Sequence, residues 1–264
     1  MAMEENKDTN KNINKNINKE KIQNKEDIFT GLKAGNIAYS YRRHEVLNCI
    51  SFELPKGKAA ALLGANGSGK STLLSILSGI RRSGHPSDGS IPFYSYGDGN
   101  QTSDLFRDKK SCSRIISYVP QEDPLMPELS VKDNLLLWYS GSRKNFQSAL
   151  LSPAIAALDI SSFMDRPVKA LSGGMRKRVS LAAALINEPE VLLLDEPASA
   201  LDLSFKAELR NYLRELRENG TTLLISTHDE EDLDICDIAF LLKGGVLSSI
   251  SPALRGEELL KLIR

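Results

Sequence analysis

At 264 residues with 41% hydrophobic side chains, the chain is long enough for one large or two small domains around a substantial core. Its 34 Lys and Arg cancel its 34 Asp and Glu, so no overall positive field gathers nucleic acid or an anionic membrane surface, and nucleic acid is not expected as a partner. The longest apolar runs, such as AAALL at 59–63 and VLLL at 191–194, fall far short of the ~20 residues that cross a bilayer. No apolar stretch follows the N-terminal lysines to make a secretory signal. Cys49, Cys112 and Cys236 are odd in number, scattered and without C-x-x-C spacing, which argues for reduced thiols in a cytosolic setting and against a zinc site or disulfide frame.

In chain order, residues 1–27 carry six lysines, six acids and seven asparagines. They are too poor in large apolar side chains to offset the entropy of ordering, and a disordered tail is expected. From Ile28 to Gly57, short alternating runs separated by Gly, Arg-Arg-His and Pro-Lys-Gly predict antiparallel strands. KAAALLGANGSGKSTLLSILSGI from Lys58 reads as apolar strand, glycine-rich loop and helix. Residues 83–113, rich in Gly, Ser and Asp, read as surface loops around a weak strand at SIPFYSY. RIISYVPQ predicts a strand ending near Gln121. A helical stretch then runs to about Val168, with LSVKDNLLLWYS and FQSALLSPAIAALDI as candidate helices. The helix MRKRVSLAAALINE, the strand VLLLD, a charged helix at about 204–218 and the strand TTLLIST follow. Continuous apolar strands alternating with helices indicate a parallel sheet covered on both faces, with the helical block inserted into an α/β core.

The strongest chemical signal is GANGSGKS at 64–71, a full G-x-x-x-x-G-K-[ST] motif set between strand and helix. Gly64, Gly67 and Gly69 allow backbone N–H groups to approach phosphate oxygens; Lys70 supplies a charge to the β/γ-phosphates and Ser71 a hydroxyl to Mg²⁺. VLLLDEP at 191–197 ends a buried strand in Asp195 and Glu196, at the strand end where ligands collect in such sheets. Asp195 suits a Mg²⁺ shell. Glu196, pointing differently, could orient or deprotonate a water. The strand TTLLIST runs out at Thr227 and His228, at the same sheet edge; His228 is expected to reach the γ-phosphate or the attacking water, while His44 and His85 receive no role. Ser172, Gly173 and Gly174 read either as a helix cap or as a phosphate cradle at a helix N-terminus. Tyr39 and Tyr41 share one strand face, and either could pack in the sheet or stack on a purine.

In this combination and order the motifs resemble the nucleotide-binding subunit of an ATP-binding cassette (ABC) transporter over about residues 30–255. The resemblance implies a P-loop NTPase core with a mostly parallel sheet, an antiparallel β subdomain and an inserted α-helical subdomain. The domains expected are the 1–27 tail and one ATPase domain over 28–264, with the helical subdomain at about 123–180. Carried over by position, Gly64, Ala65, Asn66, Gly67, Ser68, Gly69, Lys70, Ser71 and Thr72 would hold the phosphates of ATP. Tyr41 matches the aromatic that stacks on adenine. Gln121 in YVPQ matches the glutamine that joins the Mg²⁺ site to the membrane partner, beside Ser71 and Asp195 as metal residues. LSGG at 171–174 matches the signature, with Ser172, Gly173 and Gly174 on ATP. SALD at 199–202 matches the loop after the acidic pair, with Asp202 at the nucleotide, and Glu196, His228 and Gln121 are the expected catalytic set.

Three departures stand out. Met175 replaces the usual fifth signature residue, glutamine; the stretch from Gly97 to Ser113 is longer than typical; and the extra C-terminal regulatory domain of some importer subunits is not expected. One phosphate loop and one signature imply two copies, or a copy and a close homologue, clamping two ATP in head-to-tail register. The family also implies a membrane permease partner at the cytoplasmic face. PELSVKDNLLLW at 127–138 resembles the start of the helical subdomain in exporter-type subunits and leans the expectation to export. The alternative is a soluble ABC-type ATPase of cofactor assembly or regulation.

Overall fold

The computed structural model describes residues 30–42, 44–84, 90–99, 101–199 and 201–263. The expected tail at 1–27, and His85, lie outside the described residues. Alternation in GLKAGNIAYSY and HEVLNCISFELP produces strands β1 (Gly31–Tyr41) and β2 (His44–Pro55), paired antiparallel from Gly31↔Pro55 to Tyr41↔His44. β3 (Ala59–Leu63) is buried throughout and feeds the glycine loop and helix α1 (Lys70–Leu77).

The next segment holds the strand expected at SIPFYSY, as β4 (Phe93–Gly97), and departs from the loop reading beyond it. β4 and β5 (Thr102–Asp104) extend the antiparallel sheet in the order β2-β1-β4-β5, and α2 (Lys109–Ile115) follows. Asp108 caps α2 through the N–H groups of Lys110 and Ser111. Leu105, Cys112 and Ile115 are buried, so three well-spaced apolar anchors suffice in a polar stretch.

β6 (Ile116–Val119) leads to α3 (Val131–Trp138), capped by Ser130, whose Oγ accepts from Asp133 N at 3.1 Å. The helical text FQSALLSPAIAALDI forms two short helices parted before Pro153, α4 (Phe146–Leu150) and α5 (Pro153–Ala156). Pro153 sits in the first turn of α5, where its missing N–H costs nothing; inside one continuous helix it would have removed a hydrogen bond. α6 (Gly173–Leu185), β7 (Val191–Asp195), α7 (Leu203–Glu218), β8 (Thr222–Ser226), β9 (Ile238–Lys243), β10 (Val246–Ile250) and α8 (Gly256–Ile263) complete the order.

The second sheet runs β10-β9-β3-β8-β7-β6; all its pairs are parallel except β10 with β9. Leu192 and Leu194 of β7 pack with the helical layer around α6, whereas Val191 and Leu193 pack with α1 and the antiparallel sheet. Both faces are therefore covered, which is why the strand reads as an unbroken apolar run. Because β3, β8, β7 and β6 are parallel neighbours, their carboxyl ends lie side by side along one edge. That edge carries the glycine loop, His228, Asp195 with Glu196, and Gln121. Among the described residues, no helix is long and apolar enough to cross a membrane.

Candidate functional site

The loop after β3 turns through backbone that favours glycine: Gly64, Gly67 and Gly69 have φ of +155°, +79° and +106°. At Gly64 a Cβ would lie 2.5 Å from Leu242 O and 2.6 Å from Ser68 Oγ, so the position has no room for a side chain. Gly69 caps α1 without any side-chain hydrogen bond, whereas Ser172 and Asp202 cap α6 and α7 with side-chain oxygens. The first N–H groups of α1 thus point out of an uncapped helix end, the arrangement that receives an anion.

Lys70 leads from this loop into the sheet edge and is only 5% exposed. Its Nζ donates to Gly64 O at 2.9 Å and Ala65 O at 3.4 Å, and lies 3.3 Å from His228 Nε2 and 3.9 Å from Glu196 Oε1. Burial lowers its pKa below the ordinary lysine value, opposed by the negative charges of Glu196 and Asp195. Glu196 is the hub. Its Oε1 is 2.7 Å from His228 Nε2, and its Oε2 accepts from Gln121 Nε2 at 3.2 Å. The Glu196 backbone has φ +46° and is held there by its N–H donating to both Ser226 O and Ser226 Oγ at 3.0 Å. A left-handed glutamate at a strand end is a strained geometry that its neighbours must enforce.

Asp195, 2% exposed, accepts from Ser226 Oγ at 2.5 Å and Tyr118 OH at 3.1 Å. Burial, reinforced by the Asp195 charge, raises the Tyr118 phenol well above its ordinary value, so it remains a donor. Neither hydroxyl was expected from sequence. They reach Asp195 because β8 and β6 flank β7, an order that chain position does not reveal.

Tyr41, Asn66, Gly67, Gly69, Lys70, Ser71, Thr72, Gln121 and Glu196 line one cavity of about 500 Å³. His44, assigned no role from its sequence context, lines it too; its register partner across β1 and β2 is Tyr41, and that pairing is the signal that could have found it. Between the two aromatic candidates, Tyr41 is 47% exposed at the cavity while Tyr39 packs against the core.

Ser172, Gly173, Gly174 and Asp202 line a different cavity of about 590 Å³, and the two linings share no residue. Ser172 Oγ accepts from Met175 N at 3.3 Å, so the cap is real. Gly174 lies where a Cβ would touch the Phe205 ring at 3.4 Å, but a Cβ at Gly173 would meet none of the described residues within 4 Å.

Two ionic devices support the site. Asp123, two residues beyond Gln121, pairs with the buried Lys177 of α6 at 2.8 Å. Arg210 of α7 gathers the segment after His228, donating to Asp229 at 2.6 Å, to Asp232 at 2.7 Å and to Glu231. Thr227 Oγ1 closes the turn on Asp232 at 2.5 Å.

A family model described as ABC transporter matches residues 47–199, more than half of the chain. Among solved structures, the dimeric ATP-binding cassette MJ0796, in a post-hydrolysis state bound to ADP and Pi, is 25% identical with a TM-score of 0.68, covering 85% of this chain and 99% of that one. CbiO1 from Clostridium perfringens, part of the ABC transporter complex cbiONQ, is 28% identical with a TM-score of 0.68, covering 86% and 90%. An ATP-binding subunit of an ABC transporter agrees in fold at 23% identity, with a TM-score of 0.74 over 89% and 100% of the two chains. A glycine loop on an uncapped helix, an acidic strand end beside it and a family match that spans both lead to one conclusion: the chain belongs to the ABC transporter family, as an ATP-binding ATPase cassette.

Proposed function

We propose that the cassette works as a dimer that closes around two ATP and drives a membrane permease. The observation that carries this reading is the division of its nucleotide residues between two cavities with no common lining. Lys70 with its loop forms one half of a site; Ser172, Gly173, Gly174 and Asp202 form the other half, to be met by the Lys70 of a second subunit. Gly173 supports this, since none of the described residues lies where a Cβ would meet it, while a phosphate approaching the N-terminus of α6 would need that space. The dimeric post-hydrolysis structure of MJ0796 agrees with this reading.

In each site the N–H groups of residues 64–72 and Lys70 hold the phosphates, and Tyr41 carries the adenine. Ser71, Gln121 and Asp195 present hard oxygen donors of the kind Mg²⁺ takes, and Asp195 acts on the Lys70 charge, so acid and phosphate loop are electrostatic neighbours. When bound, Mg²⁺ neutralises phosphate charge. Glu196, fixed between His228 and Gln121, accepts the proton of the attacking water; His228 steadies the γ-phosphate end. Loss of that phosphate releases the clamp, a change a permease can use.

We place the cassette at the cytoplasmic face of a membrane, held by the permease, and lean to export on the resemblance of residues 127–138. The 28–264 ATPase domain, with its helical subdomain at about 123–180, is the unit that would do this. Co-purification with a polytopic protein from detergent-solubilised membranes is the expected result. Recovery only from the soluble fraction, without such a protein, would favour a soluble ABC-type ATPase. Ser172→Arg is expected to abolish ATP turnover while the monomer binds ATP as before, measured by phosphate release and nucleotide titration. Equal loss of binding and turnover would show that the second half-site had been misassigned.

A further inference from the structure

The base platform has an unusual support. Arg81 follows the C-terminal end of α1, the same helix whose N-terminus carries Lys70, and its N–H returns to Ser75 O at 2.9 Å. Its guanidinium lies over two rings at once, 5.0 Å from the Tyr39 centroid and 5.2 Å from that of Tyr41. These rings meet edge to face, 4.9 Å apart at 75°. Nη1 donates to Tyr39 OH at 2.6 Å, whereas Nε is buried without a hydrogen-bond partner among the described residues. Among the described residues, one hydrogen bond and two ring contacts set the guanidinium.

The backbone holds this corner shut. Gly84 N donates to Ala38 O at 2.7 Å, Ser83 Oγ donates to Ala38 O at 3.0 Å, and Ala38 N donates to Ser83 Oγ at 3.2 Å. The segment after α1 is stitched to β1 one residue before Tyr39. At the cavity, Tyr41 OH is 3.5 Å from Thr72 Oγ1, so the ring is located from both ends of α1.

We infer that Arg81 is a positioning residue for the nucleobase: its cation, set over Tyr41, holds that ring as a platform for the base. A tyrosine 47% exposed on a strand end would otherwise sample several rotamers, and ordering it only on binding would weaken stacking. The cation also draws on the ring's electron density, which favours a second, electron-rich ring opposite it. This rests on the reading of the first cavity as the ATP site, and the test separates the two.

Affinities for ATP and for inorganic tripolyphosphate are to be measured by calorimetry for the full chain, Arg81→Gln, Tyr41→Ala and the double variant. Arg81→Gln should weaken ATP by about three- to thirty-fold and leave tripolyphosphate unchanged, which also reports an intact fold. In the Tyr41→Ala background it should have no further effect on ATP. Equal weakening of both ligands, unaltered ATP affinity, or an undiminished effect without Tyr41 would each overturn the role of Arg81. Absence of ATP and tripolyphosphate binding by the unaltered chain would instead overturn the reading of the cavity, and the role with it.

Discussion

Glu196→Gln is expected to lower ATP turnover by about 10²–10⁴-fold, the range that a positioned general base contributes, while ATP binding and ATP-dependent dimers persist. The side chain keeps its length and planarity, so its contacts with His228 at 2.7 Å and Gln121 at 3.2 Å can be rebuilt by an amide. What is lost is the capacity to take a proton. The backbone will not move to compensate, because the two bonds from its N–H to Ser226 hold residue 196 at φ +46° whatever its side chain. Phosphate release measures the loss, and gel filtration with ATP measures the retained dimer. Undiminished turnover would remove Glu196 from the reaction.

Lys70→Ala should act one step earlier, on binding itself. A charge-assisted hydrogen bond contributes roughly 1.5–3 kcal/mol, so ATP affinity should fall by about 10- to 150-fold. Desolvation raises the stakes: a cation 5% exposed is poorly solvated by water and gains more from an incoming phosphate than a surface lysine would. The expected split is therefore clean, with Glu196→Gln losing turnover at unchanged affinity and Lys70→Ala losing affinity. Retained ATP affinity in Lys70→Ala would count heavily against the phosphate-loop reading.

Much of the site was legible because its signals are local. GANGSGKS needs only its own backbone to make the loop, and VLLLDEP shows in one line both a strand buried on both faces and the acids at its end. The cap at Ser172 was equally plain, since capping is a contact three residues long. Other features depend on neighbours distant in sequence. Tyr118 and Ser226 serve Asp195 only because β6 and β8 flank β7, and Arg210 reaches Asp229 and Asp232 only once α7 lies beside the turn after β8. The stretch from Gly97 to Ser113 read as loop because its polar residues outnumber the buried anchors that order it.

The pair formed by Asp123 and Lys177 removes a mechanical freedom. The Lys177 side chain is only 5% exposed and that of Asp123 19%, so drawing the pair apart strands a buried ammonium, at a cost on the order of 3–5 kcal/mol. The segment beyond Gln121 and the helix beginning at Gly173 are thus tied together, and moving one without the other breaks the pair. A displacement of Gln121, at the rim of one cavity, is then transmitted to Ser172, which lines the other.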